Sequence, residues 1–89
     1  MKLKDGFLLK TVAGSKIVVP IGEQSSMFNG IITLSGSAAF LWEKLQTGAS
    51  EEELLNALLT EYNVEKEFAA ADLKRFIAKL SENGMLEEM

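Results

Sequence analysis

The stretch Phe28-Asn29-Gly30-Ile31-Ile32-Thr33-Leu34-Ser35-Gly36-Ser37-Ala38-Ala39-Phe40-Leu41-Trp42 changes its hydrophobic period part-way along. Before Ser35 the residues alternate, with Phe28, Ile32 and Leu34 on one side and Asn29, Ile31 and Thr33 on the other. That is the period of a strand. Gly30 within it marks a bulge or the close approach of another backbone. Beyond Ser35, Ala38, Leu41, Trp42 and Leu45 recur at helical spacing. Ser35 or Ser37 is placed to cap that helix, and Gly48 stands just past its end.

Towards the N-terminus the strand texture continues. Phe7-Leu8-Leu9-Lys10-Thr11-Val12 reads as a first strand and Lys16-Ile17-Val18-Val19-Pro20-Ile21 as a second. Ala13-Gly14-Ser15 between them suits a hairpin. Ile17, Val19 and Ile21 share one face of the second strand, and Lys16, Val18 and Pro20 the other. Pro20 donates no ladder hydrogen bond and belongs at a strand end or on an edge. Gly22-Glu23-Gln24-Ser25-Ser26 is a polar loop.

Towards the C-terminus the period stays helical. Ser50-Glu51-Glu52-Glu53 is a capping box, and Leu54, Leu55, Leu58, Leu59 and Tyr62 continue from it. A last helix runs from about Glu65 to Asn83 on a stripe of Ala69, Leu73, Phe76, Ile77 and Leu80, with Gly84 placed to end it. Three strands followed by three amphipathic helices predict an α+β fold. No repeat or linker divides the sequence, so residues 1–89 are expected to form a single domain.

Composition narrows the function. The 89 residues include no Cys and no His, which removes thiol chemistry, the commonest metal ligands and the usual general base. So small a chain has little room for a catalytic cavity. No apolar run approaches the roughly 20 residues of a membrane span, and no signal-peptide pattern follows Met1, so a cytoplasmic location is expected. The formal net charge is −4. Up to Ser35 four lysines face two acids; the remainder carries five basic residues against eleven acidic ones. An acidic helical half argues against a phosphate-binding role.

The candidate sites each have a plain structural reading. Glu51, Glu52 and Glu53 suit a helix N-terminus better than a metal site. Neither helix-start serine sits in the Asp-Ser-Leu tripeptide of an acyl carrier. The last helix carries Lys74, Arg75 and Lys79, which makes a winged-helix DNA-binding regulator the alternative reading. On the same helix Phe68 falls off the apolar stripe, on the flank of Asp72, Arg75 and Lys79 with Phe76 at its border. Such an aromatic either anchors a bound peptide or folds under the chain as a first-turn staple.

Several segments then agree in order and spacing with one family. Gly6-Phe7-Leu8-Leu9, Ile17-Val18-Val19-Pro20, Phe28 to Ser35 and Ala39-Phe40-Leu41-Trp42 resemble the PqqD-like family, that of coenzyme PQQ synthesis protein D. Asp72-Leu73, Phe76-Ile77, Leu80 and Gly84-Met85-Leu86 resemble its closing helix and tail. The resemblance covers nearly the whole chain. It departs from the PQQ-pathway pattern at Ser35, at Met85 and in a longer segment between the second and third strands, so the client peptide need not be the PQQ precursor.

The resemblance implies a small three-stranded antiparallel sheet packed on a three-helix, winged-helix-like bundle. It also implies a peptide chaperone, a recognition element for ribosomally made precursor peptides. In this mode the precursor's leader adds as a strand at the edge of the third strand, beside the last helix, and is presented to a modifying enzyme, often a radical S-adenosylmethionine maturase. The positions it assigns to peptide binding are Asn29, Ile31, Ile32 and Thr33 on the strand, and Phe68, Asp72, Arg75, Phe76 and Lys79 on the helix. No catalytic residue, metal ligand or cofactor is expected, nor a membrane or nucleic-acid partner. The same open edge would also suit a homodimer.

Overall fold

The computed structural model describes residues 1–22 and 32–87. Strand β1 is Lys2–Leu3, β2 is Phe7–Val12, β3 is Ser15–Pro20 and β4 is Ile32–Leu34. Helices α1 (Gly36–Leu45), α2 (Glu51–Glu61) and α3 (Lys66–Glu82) follow, and β5 (Leu86–Glu87) closes the order. Strands β2, β3 and β4 form an antiparallel sheet in that order, and with three helices packed on it the chain has the expected α+β fold.

The β2–β3 hairpin turns on two residues, Ala13 (φ 51°) and Gly14 (φ 82°). Two successive positive φ values match the right-handed twist of the flanking strands. Val12 therefore pairs with Ser15, and β3 begins one residue earlier than the sequence suggests. Pro20 is the last residue of β3, as its missing N–H requires. Alternation sends Val18, Phe7 and Leu9 inward, where Val18 is fully buried and the two others pack against the core, while Leu8 and Val12 stay exposed. The expected start of the third strand, Phe28 to Ile31 with its Gly30 bulge, lies outside the described residues.

The helix ends follow from local chemistry. Ser35, not Ser37, caps α1, its hydroxyl accepting from Ala38 N–H at 3.3 Å. In α2 the Glu53 N–H donates to Ser50 Oγ at 3.1 Å, and the Ser50 N–H donates to Glu53 Oε1 at 3.0 Å, closing the capping box. At the end of α3, Gly84 (φ 66°) lets Met85 N–H reach Leu80 O at 2.9 Å and Gly84 N–H reach Ser81 O at 3.1 Å, a Schellman arrangement.

That reversal feeds a pairing absent from the sequence reading. Leu3 opposes Leu86 and Lys2 opposes Glu87, while Ala49 N–H donates to Met1 O at 2.9 Å. The core gathers Val18, Ile32 and Leu34 from the sheet, Leu41, Trp42 and Leu45 from α1, Leu54 and Leu58 from α2, and Leu73, Phe76 and Leu80 from α3. On α1 the buried alanine is Ala39, and Ala38 is only half-buried. The Trp42 indole N–H is buried without a hydrogen-bond partner among the described residues.

Candidate functional site

Strand β4 has β3 on one side and, among the described residues, no strand on the other. Ile17 opposes Thr33 and Val18 opposes Ile32, so the register buries Ile32 and Leu34 and leaves Thr33 exposed. A strand edge in this condition offers backbone donors and acceptors to a further strand.

A groove of about 640 Å³ runs beside it. Thr33 and Leu34 of β4 and the first turn of α1, from Ser35 to Ala38, form one wall. Ala69, Asp72, Arg75, Phe76 and Lys79 of α3 form the other, and Leu41, Leu58, Tyr62 and Val64 supply the remaining apolar lining. Tyr62 is held edge-on to Phe40, with ring centroids 5.7 Å apart and planes at 89°, and Lys44 Nζ lies 5.2 Å from the Phe40 centroid. A Cβ on Gly36 would meet no atom within 4 Å, which keeps this end of the groove open.

The groove's charged groups are Asp72, Arg75 and Lys79. Arg75 Nη2 pairs with Asp72 Oδ1 one turn away on α3. Lys79 has no carboxylate partner among the described residues. Among the described residues one carboxyl group departs clearly from its ordinary titration. Glu53 is held below the usual glutamate value, chiefly by the hydrogen bond from the Ser50 N–H and then by the Ser50 hydroxyl, and it lies outside the groove lining. Among the described residues no three Cys, His, Asp or Glu side chains converge to hold a metal ion, and no helix is long and apolar enough to cross a membrane.

The expected binding residues divide into four sets. Thr33, Asp72, Arg75, Phe76 and Lys79 converge on the groove, Phe76 as a largely buried wall residue. The Ile32 side chain points into the core, leaving only its backbone for an edge contact. Phe68 is 66% exposed and stands outside the lining, which excludes the first-turn staple. Asn29 and Ile31 lie outside the described residues. Leu41, Leu58, Tyr62, Val64 and the α1 first turn were not expected, because nothing local reveals which residues of separate elements converge.

Residues 15–86, from the start of β3 into β5, match the family model for coenzyme PQQ synthesis protein D (PqqD). The chain belongs to the PqqD family. Two solved structures share this PqqD-family fold. One is TbiB1 in complex with the TbiA(β) leader peptide, with 21% identity, a TM-score of 0.78 and coverage of 100% of this chain and 98% of that one. The other is a lasso peptide synthetase B1 complexed with the leader peptide, with 23% identity, a TM-score of 0.74 and coverage of 98% and 96%. The chain matches no curated protein.

Proposed function

We propose that this PqqD-family chain is a peptide chaperone that receives the leader of a ribosomally made precursor as an added strand on β4. It catalyses no step itself and presents the leader to a modifying enzyme. The observation that carries this reading is the side of β4 that no strand covers among the described residues, lying along a groove whose far wall is α3. An extended guest there gains main-chain hydrogen bonds whatever its sequence, while alternate side chains entering the groove decide which guest fits. That two proteins of the same fold are held with leader peptides supports it.

In this reading Thr33 and the Ile32 backbone meet the guest, and Asp72, Arg75, Phe76 and Lys79 form the selecting wall. Phe68 takes an apolar residue of the guest beyond the groove's end. Asn29 and Ile31 join the strand contact on the family resemblance alone. The receiving enzyme is a radical S-adenosylmethionine maturase, the compartment is the cytoplasm, and the pathway is that of PQQ or of another modified peptide. The winged-helix regulator is disfavoured, since Arg75 and Lys79 sit on the groove wall with Asp72 in a helical half of strong negative charge.

Titration of labelled protein with synthetic leaders of the short reading frames beside its gene tests this. Amides of Ile32 to Leu34 and Asp72 to Lys79 are expected to shift for one of them; silence there for every leader overturns the reading. Sedimentation at several concentrations checks whether a homodimer uses the same edge, in which case peptide would dissociate it.

A further inference from the structure

Charge is distributed unevenly across the helical half. After Ser35 eleven acidic residues outnumber five basic ones, yet the groove takes two of the basic residues, Arg75 and Lys79, and one acid, Asp72. The glutamates Glu51, Glu52, Glu53, Glu61, Glu65 and Glu67 all lie outside its lining. The first turn of α1, which forms part of the β4-side wall, also carries no acidic side chain. The groove lining is therefore net positive although the helical half that supplies most of it is net negative, and low-dielectric apolar walls concentrate such a field.

Its internal pairing leaves one charge over. Asp72 answers Arg75, and Lys79, one turn further along α3, has no carboxylate among the described residues. Phe76 lies between them on the same wall, with Leu41, Leu58 and Val64 completing the apolar lining. A guest strand places residues i and i+2 on one face about 7 Å apart. Phe76 and Lys79 stand three residues apart on α3, about 5–6 Å between Cβ atoms, so two same-face guest side chains can reach one each.

We infer that the peptide this groove selects carries an acidic side chain two residues from an apolar one, the acid meeting Lys79 and the apolar group meeting Phe76. This deepens the strand-addition reading and rests on it. The acid is drawn to the groove and repelled by the glutamates elsewhere, so the same charge gives both attraction and register.

The test uses whichever synthetic leader shifts the β4 amides, with each Asp or Glu changed to Asn or Gln in turn, and affinity read by fluorescence polarisation. One neutralisation is expected to weaken binding about two- to fivefold at low salt, and the difference shrinks as ionic strength rises. Lys79→Glu should lose at least that increment, because it replaces the attraction with like-charge repulsion, and changing the peptide's acid to Lys should restore binding. Lys74→Glu, on the same helix but outside the groove, should leave affinity within twofold. A leader that shifts β4 yet binds equally well with every acid neutralised overturns the inference and leaves strand addition standing. Equal losses from Lys74→Glu and Lys79→Glu also overturn it, because the effect would then be net charge. A chain whose β4 is silent to every leader takes both readings down.

Discussion

The Met85 N–H donates to the Leu80 carbonyl at 2.9 Å, and the side chains of both residues are fully buried. One hydrogen bond thus ends α3, reverses the chain and seats Met85 in the core, after which Leu86 can pair with Leu3. Gly84 makes the reversal possible. A Cβ there would meet no atom within 4 Å, so only its φ of 66° penalises a side chain. Gly84→Ala is expected to cost about 1–2 kcal/mol in urea unfolding. Met85→Ala should cost about 2–5 kcal/mol, because it opens a cavity, and Met85→Leu less than about 1.5 kcal/mol.

The hairpin turn carries the opposite opportunity. Ala13 holds a left-handed φ of 51° without glycine's freedom. Ala13→Gly or Ala13→Asn should raise the unfolding midpoint, with a gain of about 0.5–1 kcal/mol. An unchanged or lower midpoint would mean that another constraint dominates the turn.

The α2 capping box predicts a pH dependence. Glu53 titrates lower in the folded chain than in the unfolded one because Ser50 hydrogen-bonds its ionised form. Its contribution is present above the ordinary glutamate range and is lost as pH falls through the depressed folded value. Ser50→Ala should cost about 1 kcal/mol at neutral pH and flatten the acid side of the stability profile. Denaturant melts from pH 7 to pH 3 read both effects.

The two phenylalanines of the expected site should behave differently. Phe68→Ala removes an exposed ring and should change stability by less than about 0.5 kcal/mol while weakening leader binding. Phe76→Ala removes a buried wall and should cost about 3–5 kcal/mol, enough to endanger folding in so small a core.

Gly36 offers a probe of the groove itself. It opens α1 on the groove wall, and a side chain there would project into free space. Gly36→Leu should leave the thermal midpoint within a few degrees yet weaken leader binding about tenfold, or 1.4 kcal/mol. Unchanged affinity would place the guest elsewhere.

The sequence by itself determined what depends on neighbours along the chain. The Ser50–Glu53 box, the turn at Gly14, the stop at Gly84 and the buried stripe of α3 involve residues within one turn or one hairpin, where period and capping chemistry act directly. Family resemblance supplied the proposed binding positions, five of which, Thr33, Asp72, Arg75, Phe76 and Lys79, line one groove. Only the tertiary structure decided the rest. Strands β1 and β5 have two residues each, too few to carry a period, and find each other across the length of the chain. The groove exists because β4, α1, the end of α2 and α3 meet in space, and packing between distant elements leaves no periodic mark in any one of them.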